Sequence, residues 1–169
     1  LPAFCRVAGV VAPAIRFEIW LPPPTGAGAW NGKLNGVGNG GLAGSIGYGA
    51  MAEALARGYA TASTDTGHTN EPGREAWALG HPDLLVDFAS RSIHVTASAA
   101  KAVVREYYGR GPDRSYFTGC SCGGGQALSQ AQNSSCPRVP IRRKSVLLPG
   151  RRMSTRSPVC ITTRTPPWV

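Results

Sequence analysis

The sequence predicts an α/β fold with a mainly parallel sheet, followed by an irregular basic tail. Three observations predict it. Strand-like runs alternate with segments of helical composition along residues 1–132. A glycine-flanked serine, in TGCSCGGGQALSQA (residues 118–131), stands where a strand-like run gives way to a helix-like one. The alternation then stops near residue 133, where the composition changes abruptly.

The elements follow in order. Residues 7–20, VAGVVAPAIRFEIW, end in an alternation with Ile15, Phe17 and Ile19 on one face and Arg16 and Glu18 on the other, which reads as a half-buried strand. LPPPTGAG is a turn or loop, and WNGKLNGVG carries a short strand around Leu34 and Val37. NGGLAGSIGYG is a glycine-dense loop. Residues 50–57, AMAEALAR, are helix formers stopped by Gly58. YATAS, residues 59–63, is the next strand, and TDTGHTNEPGRE the loop after it. The stretch 86–109 is helical, with Asp87 favouring its start and Gly109 and Pro112 at its end. SYFT, residues 115–118, is a short strand, and GGGQALSQAQ starts a helix.

The chain has 169 residues, enough for one domain with a sizeable core. No apolar run approaches the ~20 residues of a membrane span. The chain starts at Leu1 without a basic and then apolar leader, so we expect no signal peptide within it, as in a processed chain or a fragment. The net charge of +9 raises the question of a nucleic-acid or membrane partner. Its location argues against both. Residues 1–132 hold ten Lys/Arg and nine Asp/Glu, whereas residues 133–169 hold eight Lys/Arg and no acid. The near-neutral body has no footprint for a phosphate backbone. The tail is dense in Pro, Arg, Ser and Thr and reads as irregular.

Five cysteines, Cys5, Cys120, Cys122, Cys136 and Cys160, leave at least one without a partner in the chain. Cys-x-Cys lacks the spacing and second ligand pair of a zinc site, so no metal ligands are assigned. A bridge between Cys120 and Cys122 would be strained. Cys122 is left to pair with Cys136 or Cys160, or to stay free.

Gly119-Cys120-Ser121-Cys122-Gly123 fits G-x-S-x-G. A nucleophilic serine needs a sharp strand-to-helix turn that projects its oxygen, and the glycines remove Cβ atoms that would clash there. The following helix start favours an anionic intermediate, with the N–H of Cys122 as first oxyanion donor. The bland alternative is an ordinary serine in a glycine turn. A second donor is expected from the loop after Val37, at Gly40 and Gly41. The same loop contains GxGxxG from Gly36 to Gly41, but no acidic residue follows at the spacing of a dinucleotide site. No triad closes on the sequence. His68, His81 and His94 all precede Ser121, and the last acid is Asp113. Asp65 and His68, in STDTGH, either touch substrate or fix a loop, with turn composition favouring the loop. His81 and His94 read as surface or core polar residues.

LPAFCRVAGVVAPAIRFEIWLP, WNGKLNGVGNGGLAGSIGYGAMAEALARGYATASTDTGH and YFTGCSCGGGQAL, in that order, resemble the tannase and feruloyl esterase family over about residues 1–132. The resemblance implies an α/β-hydrolase fold, secretion or a periplasmic location, and hydrolysis of esters of aromatic acids through a serine acyl-enzyme. It implies Ser121 as nucleophile, with Gly40 and Gly41 beside the oxyanion hole. It implies that Cys120 is an elbow cysteine bonded to a cysteine directly after the catalytic histidine, and that Cys5 is a structural cysteine with a partner upstream. Both partners are expected to be absent from this chain. The family's lid, with its structural calcium, and its later Asp and His-Cys pair have no counterpart in residues 133–169, so no cofactor is expected here. A frame change in the coding sequence is one explanation of the tail. The chain is expected to act as a partial catalytic core, inactive or nearly so, on a small aromatic ester, with neither nucleic acid nor membrane as partner. A catalytically dead binding module is the first rival reading, and a nucleic-acid binder acting through the basic tail is the second.

Overall fold

The computed structural model describes residues 1–42, 44–69, 76–133, 142–144 and 160–165. One mixed sheet organises them. Its strands are β1 (Cys5–Val11), β2 (Ile15–Leu21), β3 (Lys33–Val37), β4 (Ala60–Thr64), β5 (Arg114–Cys120), β6 (Arg142–Lys144) and β7 (Cys160–Thr165), in the order β1-β2-β4-β3-β5-β7-β6. The parallel pairing expected from the sequence is at the centre, where β3 runs parallel to both β4 and β5. The flanks are antiparallel. At the β1–β2 flank the reason is chain length, because three residues between β1 and β2 allow a hairpin but no crossover.

The single strand read within residues 7–20 is therefore a hairpin. Its outward face is also corrected. Glu18 is buried, not solvated, because Arg6 on β1, Trp20 and Tyr48 all donate to its carboxylate. The alternation of β2 remains, but both of its faces are covered.

Helix α1 (Tyr48–Ala56) packs Met51 and Leu55 on Trp20 and Val37, on one face of the sheet. On the other face Ile19, Leu21, Leu34, Ala60 and Ala62 meet Ala100 and Val104 of α3 (Ser92–Tyr108). Phe117 of β5 packs on Ile93 of α3 and Ala127 of α4 (Cys122–Asn133). The helical stretch starts earlier than the sequence indicates. Pro82 opens the short helix α2 (Pro82–Val86), and a π-helical turn, Asp87–Arg91, joins it to α3. Asp87 is thus internal to the helical run and buried, and it accepts from Arg91 one turn on.

The tail expected to be irregular contributes β6 and β7. Cys160–Thr165 is rich in β-branched Ile and Thr, which suits a strand, and it covers the edge of β5. Its register sets Cys160 opposite Cys120. The rest of residues 133–169, Cys136 included, lies outside the described residues.

This topology selects one place for a site. From β3 the chain crosses by α1 to β4 on one side. From β4 it crosses back by α3, on the opposite face, to β5 on the other side. The crossovers diverge between the C-terminal ends of β3 and β5, which is where an open α/β sheet is expected to carry its site.

Candidate active site

Val37 pairs with Thr118, so the loop after β3 and the turn after β5 leave the sheet side by side. Ser121 alone forms the turn between β5 and α4, with φ of 54°. A non-glycine residue in that left-handed region carries a cost on the order of 1–2 kcal/mol, so its surroundings must hold it there. They do so through the helix. The Ser121 carbonyl accepts from the N–H groups of Gly124 and Gly125, at 3.0 and 3.2 Å. The side chain of Ser121 is exposed.

The glycines of the pentapeptide are required by packing. A Cβ on Gly119 would lie 2.5 Å from the backbone C and O of Gly123, and one on Gly123 would lie 2.6 Å from the Asn39 carbonyl oxygen. Strand, helix and loop therefore approach one another at backbone contact.

The loop is held from three directions. The Gly38 N–H donates to the Thr118 carbonyl at 2.8 Å, extending the β3–β5 ladder. The Asn39 N–H donates to Gln126 Oε1 at 2.9 Å, and Gln126 Nε2 donates to Asn39 Oδ1 at 3.1 Å. Asn39 Nδ2 donates to the carbonyls of Ser45 and Thr64, at 2.7 and 2.8 Å. Gly40 and Gly41 stand beyond these anchors, exposed. Among the described residues, no hydrogen bond engages the N–H of Gly40, Gly41 or Cys122. Cys122 opens α4, where an N–H has no partner within the helix. Sequence reasoning missed Asn39 and Gln126, which are 87 residues apart. Their only sequence signal is a polar residue one turn into a helix that faces a core.

His68 is a loop anchor. Its Nε2 donates to the Leu42 carbonyl at 2.7 Å, and a carbonyl can only accept, so Nε2 carries the proton. Its Nδ1 lies 3.3 Å from Thr66 Oγ1, and the ring stacks on Trp77 with centroids 4.0 Å apart. Both nitrogens are thus engaged away from Ser121. Asp65 Oδ1 accepts from the N–H groups of Arg16 and Gly67, both at 2.9 Å. Burial raises the Asp65 carboxyl, and those two backbone donors oppose the shift. Of the two readings of STDTGH, this geometry matches the loop. His81 and His94 are exposed, the first just before α2 and the second on α3.

Cys5 and Cys122 carry free thiols. Among the described residues no group of three or more His, Cys, Asp or Glu side chains could hold a metal ion. Among them, too, no helix is long and apolar enough to cross a membrane.

Residues 3–135 match the family model for tannase and feruloyl esterase. The chain belongs to this family. Among curated members it is 45% identical over 136 residues to an uncharacterized esterase of Xanthomonas campestris pv. campestris, a match covering 78% of the chain and 23% of that protein. It is 44% identical over 121 residues to a probable feruloyl esterase of Arthroderma benhamiae, covering 68% of the chain and 22% of that protein. Among solved structures of the family, the crystal structure of feruloyl esterase B from Aspergillus oryzae superposes with a TM-score of 0.67 at 33% identity. That match covers 76% of the chain and 25% of the other. The chain thus spans about a quarter of the length of the family members it matches. Its sheet and helices are a partial α/β-hydrolase core.

Proposed function

We propose that this chain carries the nucleophile and the oxyanion wall of a serine carboxylic ester hydrolase acting on esters of aromatic acids. One observation carries the reading. Ser121 sits exposed at a positive φ between β5 and α4, and in the glycine loop after β3 the N–H groups of Gly40 and Gly41 are unengaged among the described residues. A strained turn persists only where its surroundings over-determine it, and such turns cluster at active sites.

Ser121 Oγ attacks the ester carbonyl carbon. The carbonyl oxygen becomes an oxyanion facing the N–H of Cys122 and those of Gly40 and Gly41. As the tetrahedral intermediate collapses, the C–O bond to the alcohol breaks and an acyl-serine remains, which water hydrolyses. The proton leaving Ser121 needs a base. His68 is engaged by the Leu42 carbonyl, and His81 and His94 are exposed residues of the segment before and within α3, with no hydrogen bond to the elbow among the described residues. The chain by itself is therefore inactive or nearly so, with only the small residual that an oxyanion hole and binding provide.

The elbow cysteine belongs to a disulfide in this reading. A disulfide at the elbow fits an oxidising compartment, secreted or periplasmic.

Labelling by a fluorophosphonate tests the reading, with imidazole added as the missing base and intact mass as readout. Wild type is expected to gain one adduct, at Ser121, and Ser121→Ala none. Equal labelling of the two would overturn the serine assignment. Turnover of methyl gallate without imidazole, lost in Ser121→Ala, would overturn the inactivity.

A further inference from the structure

We infer that Asn39 and Gln126 are positioning residues, a reciprocal amide latch that sets the spacing between the glycine loop and the start of α4. The inference rests on the serine-esterase reading above and names what holds its oxyanion wall in place.

Gln126 is four residues after Cys122, so the two share one face of α4. From that face the Gln126 amide reaches the loop with both of its polar atoms. Oε1 accepts from the Asn39 backbone N–H, and Nε2 donates to Asn39 Oδ1. A flipped amide would set donor against donor and acceptor against acceptor, so the pair fixes its own orientation. Asn39 cannot rotate to compensate, because its Nδ2 is held by the carbonyls of Ser45 and Thr64. Asn39 is 6% exposed and Gln126 9%, so water does not substitute for either partner. The Asn39 N–H is consumed by this latch. The next two N–H groups along the loop, of Gly40 and Gly41, are left for an oxyanion, as is that of Cys122.

The contacts beside the latch are repulsive limits. A Cβ on Gly38 would lie 2.8 Å from Gly123 Cα, so loop and helix are already at closest approach. The glycines prevent nearer packing, and the amide pair prevents separation. Two opposed constraints define a distance, which neither does alone.

The test compares wild type, Gln126→Ala, Gln126→Glu and Ser121→Ala as the full chain. The rate constant and the affinity of fluorophosphonate labelling are separated by varying the probe concentration, with imidazole present and each variant well below its melting temperature. Gln126→Ala is expected to slow the rate constant on the order of tenfold to a hundredfold and to leave probe affinity unchanged, the signature of lost alignment. Gln126→Glu supplies a readout that a merely structural role would not move. The carboxyl that this substitution introduces, when neutral, both accepts from the Asn39 N–H and donates to Asn39 Oδ1. Its ionised form has no proton for Oδ1. The ratio of the Gln126→Glu labelling rate to that of wild type should therefore fall as pH rises through about 5 to 7.5. The ratio for Gln126→Ala should stay flat. A flat ratio for Gln126→Glu, or a Gln126→Ala rate within twofold of wild type, would overturn the latch. If wild type labels no faster than Ser121→Ala, the serine reading fails, and amide NMR signals then decide the latch separately. The Gly40 and Gly41 signals should move with pH in Gln126→Glu and stay still in wild type. If they stay still in both, the latch is overturned.

Discussion

Gly123→Ala and Gly125→Ala place the same methyl group on the same helix and should change stability in opposite directions. At Gly125 a Cβ meets nothing within 4 Å. Alanine there restricts the unfolded chain and suits the helix, a gain of about 0.5–1 kcal/mol. At Gly123 the Cβ would lie 2.6 Å from the Asn39 oxygen and 3.1 Å from the Gly38 carbonyl carbon. Restoring ordinary contact near 3.4 Å requires a shift of about 0.8 Å at the Asn39 oxygen. The obstructing atoms are backbone, and the latch and the β3–β5 ladder hold them. Overpacking of this kind costs about 1–3 kcal/mol. It outweighs a helix-propensity gain of at most ~1 kcal/mol, which is smaller in a first turn. The two variants should differ by about 2 kcal/mol, roughly 5 °C in melting temperature for a chain of this size. Scanning calorimetry or circular dichroism melts read the difference directly. A Gly123→Ala protein that melts with or above Gly125→Ala would refute the argument that backbone contact between loop and helix builds this site.

Ser121→Gly should abolish fluorophosphonate labelling yet raise the melting temperature, because it relieves on the order of 1 kcal/mol of left-handed strain; a lower melting temperature would show the turn to be unstrained. The Glu18 carboxyl is lowered from an ordinary 4.5 to about 2, chiefly by the Arg6 guanidinium hydrogen-bonded to it. Its folded pKa is depressed, so its contribution is present above pH 4.5 and lost as pH falls toward 2. Glu18→Gln should lower the urea midpoint at pH 7 and flatten its decline over that acid window, and an unchanged decline would count against the assignment. Asp65 behaves in the opposite sense, because burial raises its carboxyl. Its ionisation opposes folding, so stability falls as pH rises through the folded pKa. Asn keeps an acceptor for the Arg16 and Gly67 N–H groups, and Asp65→Asn should match or exceed wild type in urea at pH 7. A loss above ~1 kcal/mol would contradict this.

The strands and helices that the sequence shows clearly are those whose neighbours are nearby in the chain. The start of α4 follows from its own glycines and helix formers. The stop at Gly58 follows from the residue type. Even the order of blocks that marks the family is local text. Glu18 failed as a local reading, because its burial depends on Arg6 twelve residues before it and Tyr48 thirty after it. The start of the helical run failed for a related reason. Asp87 has the composition of a helix start, but Pro82, at the first position of α2, opens the helix one turn earlier and leaves Asp87 internal.

The candidate site divides the same way. Residue type and spacing alone determined that Ser121 stands in a glycine-flanked turn between a strand and a helix, because the turn's steric demands fall on the pentapeptide itself. They also determined that no histidine follows it. The tertiary structure decided which loop meets that turn. It also decided that His68 holds the Leu42 carbonyl, and that Gln126 joins Asn39. These depend on where β3 and β5 pair, and a parallel register between distant segments is set by burial of both faces of the sheet, not by any short stretch of sequence.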